Sequence, residues 1–176
     1  GAGAYDYNGD GLADIVMNNY NDGKSYVVYG KTNTNPVNMS TGFLASDGFT
    51  IAVPSGTVYS TPVGDMNGDG FTDTFMGVNN GGYVLYGTSA NTNVTIPSGQ
   101  TGFSDMGFFV HASNLNTLSI ARAPVVGDFN GDGYSDFAVQ ENNSNSTGGA
   151  LNVVFGGPSN IANLVAGDSN ASGQIG

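Results

Sequence analysis

The chain has 176 residues and a formal net charge of −11, with only Lys24, Lys31 and Arg122 as basic side chains. That balance excludes nucleic acid, which needs a basic surface, and it excludes attraction to an anionic membrane face. No apolar run approaches the ~18 residues of a membrane span, so no membrane insertion is expected. Cysteine is absent and a disulfide framework with it. Gly, Asn, Ser and Thr are abundant while Glu141 is the only Glu, a profile of turns and strands rather than helices.

Taken in chain order, the predicted elements repeat themselves. The first repeat, residues 1–55, opens on GAGA and runs at once into an acidic stretch, DYNGDGLAD, from Asp6. A strand-like DIVM follows from Asp14, then a Gly/Asn turn, then SYVVYG from Ser25 to Gly30. The polar loop KTNTNPVNMS leads to GFTIAV from Gly48. The second repeat, residues 56–117, gives TVYSTPVGD, the acidic DMNGDGFTD from Asp65, DTFM from Asp73, GYVLYG from Gly82, the polar TSANTNVTIPSGQ and GFFVHA from Gly107. The third, residues 118–176, gives LSIARAPVVGD, the acidic DFNGDGYSD from Asp128, DFAV from Asp136, a hairpin loop ENNSNSTGG, ALNVVFG and a closing SGQIG. Val, Ile, Tyr and Phe between Gly/Asn turns are a strand signal, and no helical period persists.

Four short strands per repeat of about 60 residues predict an all-β fold, a β-propeller of four-stranded blades. The whole of 1–176 then forms a single propeller segment. Closed propellers typically have four to eight blades. Three repeats therefore predict an arc of a larger ring, completed by further blades of a parent chain or by self-association.

The acidic stretches share the pattern D-x-N-x-D-G-x-x-D. Side-chain oxygens at positions 1, 3, 5 and 9, joined by the carbonyl at position 7, make an all-oxygen donor set of the kind that suits calcium. The expected ligands are Asp6, Asn8, Asp10, the Leu12 carbonyl and Asp14 in the first copy. In the second they are Asp65, Asn67, Asp69, the Phe71 carbonyl and Asp73. In the third they are Asp128, Asn130, Asp132, the Tyr134 carbonyl and Asp136. Nine of the fourteen acidic residues fall in these loops, a crowding that a cation relieves. About three Ca²⁺ ions, one per repeat, are expected. An EF-hand is ruled out, because its position 12 needs a Glu between helices and here holds Met17, Met76 and Val139.

With these motifs in view, the chain resembles the FG-GAP repeats of integrin alpha-subunit propellers and their bacterial relatives. Tyr29-Gly30, Tyr86-Gly87 and Phe155-Gly156 match the "FG" element, and the acidic loops match the family's calcium loops. The "GAP" element is reduced to Gly77 in one copy, where the others have Asn18 and Gln140. The resemblance implies a calcium-stabilised propeller, extracellular or at the cell surface, with a structural or adhesive role toward a protein or glycan ligand. A carbohydrate-binding lectin propeller is the alternative, and an accessory propeller of a secreted hydrolase ranks behind it. No enzyme is expected: His111 is the only histidine, it falls in a predicted strand, and no glycine cluster matches a nucleotide-binding loop. The sequons at Asn38, Asn93, Asn142, Asn145 and Asn170 are what a chain rich in Asn, Ser and Thr generates by composition.

Overall fold

A computed structural model describes residues 5–19, 22–39, 43–53, 59–78, 81–90, 92–97, 106–111, 124–141, 150–158 and 164–165. The GAGA start, most of the ENNSNSTGG loop and the SGQIG end lie outside the described residues. Those described form strands, turns and bends with no helix, so none is present to cross a membrane.

Each repeat builds one sheet. The first holds β1 (Ile15–Asn19), β2 (Lys24–Val28) and β3 (Gly48–Ala52) in antiparallel order. The second holds β4 (Tyr59–Gly64), β5 (Asp73–Val78), β6 (Gly81–Leu85) and β8 (Gly107–His111), again antiparallel between neighbours. The third holds β9 (Val125–Gly127), β10 (Asp136–Glu141) and β11 (Ala150–Val154). Where described, the apolar segments expected as strands are strands, because alternating Val, Ile, Tyr and Phe bury one face or two against neighbouring sheets; LSIARA of the third repeat lies outside the described residues.

Two short strands fall where no strand was expected. β7 (Val94–Thr95) lies within TSANTNVTIPSGQ and adds to the outer edge of the first sheet, parallel to β3, with Ile51 opposite Val94. β12 (Leu164–Val165) does the same for the second sheet, parallel to β8. Each arises one repeat later than the edge it covers. The side chain of Asn93 fixes the first of these crossings, its Oδ1 accepting the Thr50 N–H at 2.9 Å and the Thr50 hydroxyl at 3.0 Å. An edge strand left bare is a template for wrong pairing, and these crossings cover it while tying consecutive sheets together.

The core divides into two clusters, one on each side of the second sheet. Val27, Phe49, Ile51, Met76, Val78, Tyr83 and Phe109 pack between the first and second sheets. Val63, Phe75, Val84, Phe108, Phe137 and Val154 pack between the second and third. β5 supplies both, Phe75 to one side and Met76 to the other, and every one of its six residues is buried. Its counterpart β1 has one covered face only: Met17, equivalent to Met76, is 46% exposed. Where the innermost strand of the second sheet meets the first sheet, the contact is polar. Asn18 Oδ1 accepts from Ser60 N at 2.9 Å and from the Ser25 hydroxyl at 3.0 Å.

Candidate metal centre: three acidic loops

Each acidic loop folds on its first aspartate. Asp6 Oδ1 accepts the N–H of Gly9 (2.7 Å) and of Asp10 (3.1 Å), and its Oδ2 accepts that of Gly11 (2.8 Å). Asp65 takes Gly68, Asp69 and Gly70 in the same way, and Asp128 takes Gly131, Asp132 and Gly133. This coil needs a left-handed residue at position 6, where Gly11, Gly70 and Gly133 have φ of 82°, 88° and 92°. Positions 3 and 5 then bind one another. Asn8 Nδ2 donates to Asp10 Oδ2 at 2.9 Å while Asn8 Oδ1 accepts the Asp10 N–H at 3.0 Å, and Asp10 Oδ1 accepts the Leu12 N–H at 2.8 Å. The second and third loops repeat these contacts.

The ninth aspartate stands apart. Asp14, Asp73 and Asp136 are buried, at 4%, 0% and 0% exposure, while positions 1, 3 and 5 lie at the surface or half-buried. One oxygen of Asp14 accepts the N–H of Tyr7, at position 2 of its own loop (2.7 Å), and the other accepts the N–H of Gly30 (2.8 Å). Asp73 joins Met66 to Gly87, and Asp136 joins Phe129 to Gly156, at 2.7–2.8 Å. The Gly of each Phe/Tyr-Gly pair is thus a partner of the loop that sequence reasoning did not assign. Its signal was the recurrence of that pair after every ninth-position aspartate, at separations of 16, 14 and 20 residues. A side chain there is impossible, since a Cβ on Gly30, Gly87 or Gly156 would overlap the carbonyl of Ala13, Thr72 or Ser135.

Electrostatically these loops are under load. Among the described residues the only ion pair is Lys31 with Asp47, away from the loops. Burial pushes the Asp73 carboxyl up to about 7, against the pull of the Gly87 and Met66 N–H groups, and the Asp69 and Asp65 charges push the same way. Asp14 is raised for the same reasons, burial first, with Asp10 and Asp6 adding to it. A buried carboxylate without a cationic partner either protonates or recruits a cation. The structure brings positions 1, 3 and 5 together directly and sets position 9 beneath them. Among the described residues no three acidic, His or Cys side chains converge closely enough to hold a metal by themselves. The donor chemistry fits a hard cation; the contacts shown are those of a loop closed on its own backbone.

Neighbouring loops touch. The Ser135 N–H donates to the Asp65 carbonyl at 2.9 Å and the Gly157 N–H to the Met66 carbonyl at 2.7 Å, so the third loop is bonded to the backbone of the second. The Tyr134 ring lies against Gly68, where a Cβ would meet it. Between the first and second loops the corresponding contact is a single long bond, Thr72 Oγ1 to the Asp6 carbonyl at 3.4 Å. A cavity of about 200 Å³ opens beside it, lined by Tyr7, Phe49, Thr72, Thr74, Tyr86 and Met106 among others.

The segment around the third loop is similar to a known repeat. The FG-GAP repeat family matches residues 121–151, which hold the whole third loop. The chain carries an FG-GAP repeat. The described residues form all-β sheets, one to a repeat, the arrangement expected of a propeller built from such repeats. No curated protein and no solved structure matches the chain. His111 ends β8, opposite Gly81 in the sheet, which is the strand position expected for it.

Proposed function

We infer that this FG-GAP chain is a calcium-stabilised structural and adhesion module of the cell exterior, non-catalytic, with one Ca²⁺ held in each acidic loop. The observation that carries this reading is the ninth aspartate: buried three times over, beneath two surface carboxylates, with no cationic side chain beside it among the described residues. The residues that would hold the ion are Asp6, Asn8, Asp10, Leu12 (carbonyl) and Asp14, with Asp65, Asn67, Asp69, Phe71 (carbonyl) and Asp73, and Asp128, Asn130, Asp132, Tyr134 (carbonyl) and Asp136. A bound divalent cation supplies countercharge and no chemistry of bond breaking. The loops' contribution is to join the start of one strand, through the ninth aspartate, to the aromatic-Gly pair that ends the next.

Isothermal titration of the chelated chain with calcium, paired with thermal melts, tests this. Ligand at a hundredfold excess over its Kd stabilises by about 2.7 kcal/mol per site, so saturation of three sites raises Tm by well over ten degrees for a chain of this size. A melt unmoved by chelator overturns the reading.

A second reading, carbohydrate binding, is favoured by the cavity between the first and second sheets. Its wall of Tyr7, Phe49 and Tyr86 with Thr72, Thr74 and Thr88 carries no charge. Aromatic faces beside hydroxyls suit a neutral sugar. Binding on a glycan array that Tyr86→Ala abolishes would favour it over protein adhesion.

A further inference from the structure

The geometry points to a modification site in each loop: the pairs Asn8–Gly9, Asn67–Gly68 and Asn130–Gly131 are sites of spontaneous deamidation, held shut by the loop's own hydrogen bonds. The product accumulates only while a loop is open, so each loop records the time it has spent unfolded. The dependence of that record on calcium rests on the function proposed above; the hydrogen-bonded guard does not.

The chemistry requires only water. The backbone nitrogen of Gly9, having given up its proton, attacks Cγ of Asn8. A Cγ–N bond forms, the Cγ–Nδ2 bond breaks, and Nδ2 leaves as ammonia after taking up a proton. The resulting five-membered imide then adds water at either carbonyl, yielding aspartate or, with the main chain rerouted through the side-chain carbon, isoaspartate. Nothing is oxidised or reduced. Glycine is the follower that least obstructs ring closure, having no side chain and the widest choice of backbone angles.

All three atoms that must move are held in the closed loop. The attacking N–H of Gly9 donates to Asp6 Oδ1 at 2.7 Å, and the same contact occurs at Gly68 and Gly131. A carboxylate lying against that N–H opposes its loss of a proton, since like charge disfavours the anion. The Asn side chain is held at both ends, its Nδ2 on the Oδ2 of position 5 and its Oδ1 on the N–H of position 5. Burial adds little protection: Asn8 and Asn67 are half-exposed and Asn130 is exposed, so water reaches each of them. The guard is therefore the hydrogen-bond pattern and not shielding from solvent.

Either product alters the loop. Aspartate places a fourth carboxylate among the three already present. Isoaspartate inserts a methylene into the main chain between positions 3 and 4, displacing the N–H groups that the first aspartate gathers. A loop that has stayed open long enough thus loses the geometry by which it closes.

The test is peptide mass spectrometry on the intact chain, aged at mildly alkaline pH in calcium, in excess chelator and in urea. In urea all three asparagines deamidate rapidly; in calcium each is slower by about tenfold or more, the protection expected of a closed local unit. Equal rates in calcium and urea would overturn the guard. Rates slow in both calcium and chelator would uphold the guard and count against the calcium reading. Asp69→Ala removes the Oδ2 that holds Asn67 Nδ2 while keeping the backbone N–H on Asn67 Oδ1, and in the chelated chain it raises deamidation at Asn67 relative to Asn8 and Asn130 in the same digest. An unchanged ratio contradicts the mechanism.

Discussion

At both junctions between sheets, position 2 of one loop meets position 10 of the next, but the two junctions are built from different chemistry. Between the second and third sheets the pair is Met66 and Phe137, both buried in one apolar cluster, with Phe137 stacked at a tilt on Phe75 at 5.0 Å. Between the first and second sheets it is Tyr7 and Thr74, whose hydroxyls share a buried hydrogen bond of 2.7 Å. The apolar junction is closed, with backbone bonds to the second loop from Ser135 of the third loop and from Gly157. The polar one leaves the 200 Å³ cavity beside it. Apolar surfaces gain by closing every gap, whereas a hydroxyl pair must keep its geometry and gains nothing from closer packing once satisfied. One motif thus builds a clamp at one junction and leaves room for a ligand at the other.

The largest blow to this contrast falls on the closed side. Phe137→Ala removes a ring with 0% exposure, and losses of this kind cost about 3–5 kcal/mol. Urea denaturation of the calcium-loaded chain should show that loss, and ring contacts reported by near-UV circular dichroism should weaken with it. A cost below about 1 kcal/mol would mean the site collapses freely and the junction is not close-packed.

Next in size is the effect of charge at Asp73, which lies between the two junctions. Its folded pKa of about 7 stands above the ordinary 3.8, so without metal the folded state holds the extra proton. That contribution is present in full below the lower value and is lost as pH rises through the higher one. The chelated chain should therefore melt higher at about pH 5 than at about pH 8. Asp73→Asn should flatten that slope while lowering Tm in calcium, the two changes having opposite causes. A chelated chain that instead gained stability with rising pH would show that the buried carboxylate is already compensated.

Tyr7→Phe probes the open junction more gently. It removes one hydroxyl and leaves Thr74 Oγ1, 1% exposed with its residue, without that partner. Such a loss costs about 1–3 kcal/mol. Adding Thr74→Val should recover most of it, since removing both polar partners is close to neutral. Without that recovery in a double-mutant cycle, the hydroxyls do not act as a pair.

Much of this molecule was legible in the sequence because its information is local. The nine-residue loops and the alternating strands each fall within a window that periodicity and turn chemistry can read. The role of Gly30, Gly87 and Gly156 was not, since their bonds to the ninth aspartate join segments that only the fold brings together. β7 falls in a polar loop and β12 in a stretch without an expected strand, because two residues of strand in an Asn-rich stretch have no periodicity of their own. Pairing to a finished edge makes them strands. The Tyr7–Thr74 contact spans 67 residues and depends on which sheets become neighbours, something composition cannot specify.

The smallest effect, and a sharp one, is expected at Tyr29. Its ring packs in the first cluster near Phe49, yet its buried hydroxyl has no hydrogen-bond partner. The third repeat places Phe155 at the same point of its aromatic-Gly pair. Burial, with the Asp14 charge adding to it, pushes the Tyr29 hydroxyl up to about 12, so it stays neutral and a buried donor is left unsatisfied. Such a group costs on the order of 1 kcal/mol relative to its absence. Tyr29→Phe should therefore leave Tm unchanged or raise it by a few degrees, the reverse of what Tyr7→Phe does two rings away in the same cluster. A clear drop in Tm would mean that the hydroxyl is satisfied in solution, by water or by a ligand entering from the cavity that Phe49 lines. Repeating the melt with a candidate sugar would separate the two, because only a ligand makes the drop depend on concentration.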